Sequence, residues 1–229
     1  MNPVHNKIKV AIDGPAGAGK SSVAKMTAKK LGYVYVDTGA MYRAITWYIL
    51  DRNINFNDTK GILNMLQQLD LTLKPSDSGQ QVWINGQDVT SHIRSPLINQ
   101  NVSQVAQMPS VRHFLTDIQK LLASKGGIVM DGRDIGTVVM PDAQLKIFLT
   151  ASVEERARRR HVEMNASGNE QGLDQLMKEI AERDRMDEQR EISPLRQAED
   201  AIFLDCTELP IHQVVDIIVE LSISKIKAE

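Results

Sequence analysis

The segment Gly14-Pro15-Ala16-Gly17-Ala18-Gly19-Lys20-Ser21 fits the pattern G-x-x-x-x-G-K-[ST], and each position has a chemical use. Glycines let the backbone wrap closely and turn several N–H groups inward, which makes a nest for phosphate at a helix N-terminus. Lys20 places a point charge between the β- and γ-phosphates of a nucleoside triphosphate, and the Ser21 hydroxyl suits its Mg²⁺. Ser22 carries the loop into the helix. Asp13, just ahead of the loop, has two readings: it holds a magnesium-bound water, or it stabilises the turn.

A second chemical signal comes from arginines that follow apolar strands. Arg43 closes the segment Asp37-Thr38-Gly39-Ala40-Met41-Tyr42-Arg43, and Arg133 lies in Asp131-Gly132-Arg133-Asp134. In an open α/β sheet, ligands bind outside the carboxyl ends of the strands, so both arginines are expected to reach one crevice. Each guanidinium can grip a phosphate with a planar fork, where lysine offers only a point charge. No Ser/His/Asp or Cys/His constellation accompanies them. A phosphate acceptor needs none, because its oxygens are already anionic at neutral pH. What it needs is positioning and positive charge against the repulsion of two polyanions.

The elements that must position these residues can be read from periodicity. Short apolar runs predict strands over Lys7–Asp13, Tyr33–Asp37, Ile128–Asp131, Leu145–Leu149 and Ala201–Asp205. Helical patterns lie between them: from Ser21 to Leu31 with Gly32 as cap, from a cap at Ser110, and after a Ser152/Glu155 capping box. The alternation predicts an α/β, three-layer fold with a five-stranded parallel sheet. The core is expected over residues 1–53, 100–152 and 198–229. A β-containing insert over about 54–99 carries the hairpin dipeptide Asn85-Gly86. A polar lid is expected over about 153–197, with a turn at Asn165–Gly172 and eight arginines interleaved with acids. Arg183 and Arg190 share a face if their helix continues.

Composition narrows the partners. A net charge of −2 argues against a general nucleic-acid or membrane-surface binder. Cys206 is the only cysteine, so neither an internal disulfide nor a cysteine-based zinc site is expected. The polar start and the lack of a long apolar run lead us to expect a cytoplasmic protein, and the lack of a coiled-coil pattern a monomer.

Taken together, IDGPAGAGKS, DTGAMYR, SQVAQMPSVR, DGRDIGTVV, KIFL with ERARRR, and ERDRMDEQR resemble the bacterial cytidylate kinases, of the nucleoside-monophosphate kinase family. The segments follow the family's order over nearly the whole chain. The resemblance implies a P-loop kinase fold with an acceptor-binding insert and a short helical lid. It also implies transfer of the γ-phosphoryl of MgATP to CMP and dCMP. On its pattern Arg43 and Arg133 bind the acceptor phosphate and Arg183 and Arg190 close in from the lid. The residues matching the cytosine contacts are Ser103, Arg112 and Asp134, and Asp187 matches the ribose contact. Thr38, where some members carry serine, and Tyr42 belong to the acceptor side. Lys20, Arg133, Arg183 and Arg190 are then the catalytic set. Asp134 can accept from the cytosine N4 amino group, and Arg112 can donate to N3 and O2; uracil reverses part of that pattern.

Three other readings start from the same loop. A kinase for another small acceptor would share it. A GTPase would normally add an N-K-x-D motif, and Asn6-Lys7-Ile8-Lys9 lacks the aspartate and precedes the loop. A nucleic-acid motor is disfavoured by the acids interleaved among the arginines.

Overall fold

The computed structural model describes residues 7–76, 79–166 and 171–228. In chain order the elements begin with β1 (Lys9–Asp13), α1 (Lys20–Leu31), β2 (Val34–Asp37), α2 (Thr38–Asp51) and α3 (Thr59–Gln67). They continue with β3 (Leu71–Ser76), β4 (Gly79–Ile84), β5 (Gln87–Asp88), α4 (Pro96–Val105) and α5 (Pro109–Ala123). The last are β6 (Ile128–Gly132), β7 (Leu145–Thr150), α6 (Val153–Ala166), α7 (Leu173–Gln189), β8 (Ile202–Asp205) and α8 (Ile211–Ala228). Two compact units emerge, residues 1–35 with 125–229, and residues 36–124; the boundary falls within β2.

All five strands read from the sequence form, and they make one parallel sheet in the order β2-β6-β1-β7-β8. The central strand explains its own sequence. Ile8, Val10, Ala11 and Ile12 are fully buried, because a strand covered on both faces needs an unbroken apolar run rather than alternation. α1 and α8 pack together and close a core with Val10, Ile12, Val23, Leu145, Ile147, Val214 and Ile218. In register, Ile12 lies beside Asp131 and Asp13 beside Gly132. Parallel pairing thus brings the exits of β1 and β6 side by side, although they are far apart in sequence.

α1 ends as expected. Gly32 takes a left-handed φ of 66° and its amide closes the last turn. Other helix ends differ from expectation. α5 starts at Pro109, with Met108 rather than Ser110 as its cap, since proline's fixed φ suits the first helical position. At α6 only half of the capping box forms. The Glu155 amide donates to Ser152 Oγ at 3.2 Å, while the Glu155 carboxylate turns outward to Arg158 and Arg159. α6 and α7 share a small apolar seam of Ala157, Leu176 and Ile180. The turn expected at Asn165–Gly172 lies largely outside the described residues.

In the second unit β3, β4 and β5 form an antiparallel sheet. Asn85 and Gly86 both have positive φ, 49° and 80°, as the two-residue hairpin turn requires. β5, only two residues long, left no alternation to read. Ser95 caps α4, accepting from the Ile98 amide at 3.4 Å.

Candidate active site

The phosphate loop leaves β1 at Gly14. There φ is +148°, and a Cβ would lie 1.9 Å from the Leu149 carbonyl oxygen, so only glycine fits. Lys20 is 5% exposed and its Nζ donates to the Pro15 carbonyl at 2.6 Å. Burial, reinforced by Arg133 and Arg183 and offset in part by Asp131, holds the Lys20 ammonium well below the usual lysine range. A buried lysine whose charged form is disfavoured by burial and by guanidinium charge gains from a bound polyanion.

Ser21 Oγ donates to Asp131 Oδ2 at 2.8 Å, and Tyr35 Oη donates to the other oxygen at 3.0 Å. The loop hydroxyl is therefore tied to a buried carboxylate from the neighbouring strand. Sequence reasoning quoted Asp131 but gave it no role; its place at the end of an apolar strand was the available signal. Asp13 is differently engaged. Its two oxygens accept the Ile135 and Gly136 amides at 2.8 and 2.7 Å, holding a single π-type helical turn over Ile135–Val139. Of the two readings of Asp13, this geometry favours turn stabilisation. Burial pushes its pKa up to about 6, the two amide bonds offsetting part of the effect.

Beyond β6 a cationic cluster forms around one carboxylate. Arg133 Nε donates to Asp187 Oδ2 at 2.8 Å, and Arg190 Nη1 approaches Asp187 Oδ1 at 3.7 Å. Arg190 Nη2 also reaches Asp134 Oδ1 at 3.4 Å. Burial alone would raise Asp187, but Arg133, Arg183 and Arg190 outweigh it and hold the group below the usual carboxylate range. Arg190 stands just past the end of α7, in extended conformation. The shared helical face expected for Arg183 and Arg190 is thus replaced by a helix and its exit. The remaining lid arginines divide. Arg158, Arg160 and Arg185 pair locally with Glu155, Glu163 and Glu182, while Arg156 is buried against Ala16 and Asp184.

The second unit holds the other predicted residues. Asp37 caps α2 through the Ala40 amide at 2.8 Å and pairs with Arg43 Nη2 at 3.0 Å. Arg43 Nε is buried with no hydrogen-bond partner among the described residues. Gln80 on β4 accepts the Asp37 amide at 3.1 Å, bracing that corner. Thr38 and Tyr42 are buried on α2; Arg112 is 1% exposed and its guanidinium lies 5.5 Å from the Tyr42 ring centroid. Ser103 is half-buried on α4.

The sequence profile described as cytidylate kinase matches residues 10–224. The chain belongs to the cytidylate kinase family. It is 51% identical to the cytidylate kinase of Carboxydothermus hydrogenoformans, covering 93% of this chain and 96% of that one. It is 54% identical to that of an Exiguobacterium species, over 96% and 98% of the two chains. Identity to the cytidylate kinase of Ligilactobacillus salivarius is also 54%, over 94% and 96%. Among solved structures, an uncharacterized protein from Eubacterium ventriosum shares the fold at a TM-score of 0.51 and 12% identity, covering 95% of this chain and 99% of that one. Phosphoryl transfer, read from the loop and the strand-end arginines, and the CMP acceptor implied by the resemblance are together the activity of the cytidylate kinase family. No helix among the described residues is long and apolar enough to cross a membrane.

Proposed function

We propose that this member of the cytidylate kinase family transfers the γ-phosphoryl of MgATP to CMP and dCMP by in-line attack of an acceptor phosphate oxygen. One observation carries the reading beyond family membership: β1 and β6 pair so that the donor loop's Ser21 bonds Asp131 at 2.8 Å, two residues before Arg133, which is itself aimed by Asp187. Donor and acceptor cations thus occupy one region of the first unit, where two phosphates that repel each other must meet. Arg133, Arg183 and Arg190 grip the acceptor phosphate, with Asp187 keeping the three forks apart and oriented until it turns to the ribose. On the family pattern Arg43 also binds the acceptor phosphate, and its Nε is a buried donor with no hydrogen-bond partner among the described residues.

For Mg²⁺, Ser21 and Asp131 are the fitting residues. Both offer hard oxygens within 2.8 Å of each other, and a magnesium ion held with substrate phosphates needs only one or two protein groups. No cluster of three or more ligating His, Cys, Asp or Glu occurs among the described residues, and such a site requires none. When bound, the metal neutralises charge on the β- and γ-oxygens. Asp13 is left a role only through a water, since both its oxygens accept amides of the Ile135–Val139 turn.

On the family pattern the cytosine contacts are Asp134, accepting from N4, Arg112, donating to N3 and O2, and Ser103. Arg190 Nη2 reaches Asp134 Oδ1 at 3.4 Å and orients that carboxylate. Thr38 and Tyr42 complete the acceptor side. A cytoplasmic monomer without nucleic-acid or membrane partners fits a chain of net charge −2 with one cysteine. The test is ADP release measured with each nucleoside monophosphate in turn. Turnover with CMP and dCMP well above UMP and AMP is expected; equal turnover with UMP would remove the cytosine assignment.

A further inference from the structure

The tip of the phosphate loop is held on both sides of one residue. The Ala16 amide donates to Asp184 Oδ1 at 3.2 Å, and the Ala16 carbonyl accepts from Arg156 Nη1 at 2.8 Å. The two gripping side chains are themselves paired, Arg156 Nη1 to Asp184 Oδ2 at 2.6 Å. Arg156 is fixed in turn by its Nε, which donates to the Ala151 carbonyl at 2.8 Å. The side chains are 5% and 12% exposed. A closed ring therefore joins the loop tip, the exit of β7, the first turn of α6 and the middle of α7. Gly17 follows this contact closely: a Cβ there would meet Arg156 Cβ at 3.3 Å.

Such a ring is a poor way to add stability, because stripping two charges of water costs about what their attraction returns. Its distinctive consequence is geometric. An amide N–H of a phosphate nest is one of several that must point inward together, and loops of this kind are shaped by the anion they bind. Here a carboxylate of the protein already holds the Ala16 amide, and a guanidinium holds the carbonyl that follows. The same carboxylate sits beside Arg183 on α7 and three residues before Asp187. Fixing Asp184 against the loop therefore fixes the rotation of the helix that carries two members of the cationic cluster.

We propose that Arg156 and Asp184 are positioning residues, acting through the Ala16 backbone to preform the phosphate loop for ATP and to register α7 against it. This rests on the proposed kinase reaction for its biological sense, but the loop can be tested apart from transfer. Hydrogen–deuterium exchange of ligand-free protein is measured on the peptide containing Ala16 and Gly17, in wild type and in Asp184→Ala. Exchange about tenfold faster in the variant is expected, with the β1 and β7 core unchanged. Titration with a non-hydrolysable ATP analogue should show Kd weakened about tenfold, a loss of ~1.4 kcal/mol, while Kd for CMP moves less than twofold. Asp184→Asn guards against a variant that does not fold. It keeps an acceptor for Ala16 but loses the charge pairing with Arg156, so intermediate exchange and affinity are expected. Unchanged exchange at Ala16 in both variants, or equal weakening of the analogue and of CMP, would overturn the proposal. If wild type transfers no phosphoryl group to CMP while the variants still loosen the loop, the acceptor reading fails and the positioning role stands.

Discussion

Arg133 illustrates how a single side chain can serve by charge and shape together. Its Nε is committed to Asp187 and one terminal nitrogen to the Gly132 carbonyl, so the fork is aimed before substrate arrives and little entropy remains to be lost on binding. We expect Arg133→Ala to lower kcat by at least ~100-fold, the scale of losing a contact to transition-state charge. Steady-state kinetics with CMP checks this, and a wild-type kcat in the variant would contradict the role. Lys20→Ala should do the same, with weakened ATP binding. The task proposed for Asp134 is different. Asp134→Asn should lose base discrimination rather than rate, because an amide can present either a donor or an acceptor to position 4 of the pyrimidine. The ratio of kcat/KM for CMP to that for UMP is the measurement, and an unchanged ratio would exclude Asp134 from base reading.

At the scale of elements, the loop between β1 and α1 depends on backbone room as much as on its lysine. Gly14 combines a positive φ with contact to the Leu149 carbonyl, so Gly14→Ala must push β1 away from β7. A cost of several kcal/mol is expected, from strain and overpacking together. Urea unfolding should show it, with loss of ATP-analogue binding; a variant as stable as wild type would show that the strands can separate freely. Most of the elements were legible beforehand. Buried parallel strands leave continuous apolar runs, and Gly32 and Asn85-Gly86 mark ends with residues whose backbone preferences match the geometry. What could not be read were features that depend on distant partners. The turn over Ile135–Val139 takes its shape from Asp13, more than a hundred residues away, and the carboxylate of Glu155 chose arginines over its own helix cap.

For the whole molecule, buried carboxylates set the response to acid. Asp13, ordinarily at 3.8, is raised to about 6, so the folded state binds its proton more tightly than the unfolded state does. Between those two values stability therefore falls as pH rises and levels off above about 6, a contribution on the order of 3 kcal/mol. Asp187 acts in the opposite sense. Held low by its arginines, it contributes stability above the ordinary carboxylate pKa that is lost as pH drops through its own, lower value. Unfolding free energies of wild type and Asp13→Asn, compared from pH 4 to 7, should diverge across that window. A constant difference would show that Asp13 titrates normally.

The sequence alone was enough for the phosphate loop, the five strands, several of the helices and the family, because each rests on local patterns: glycines at fixed spacing, apolar periodicity, and motifs in order. The helices Thr38–Asp51 and Thr59–Gln67 were not read. Three-dimensional packing decided which charges serve chemistry and which only serve each other. The lid-region ions and Arg133 look alike as letters, yet Arg156 and Asp184 were drawn to the loop tip, Arg133 and Arg190 to Asp187, and Arg158, Arg160 and Arg185 to glutamates three residues away. The reason is physical: a charge takes its partner from whatever burial leaves within reach, and burial is a property of the fold.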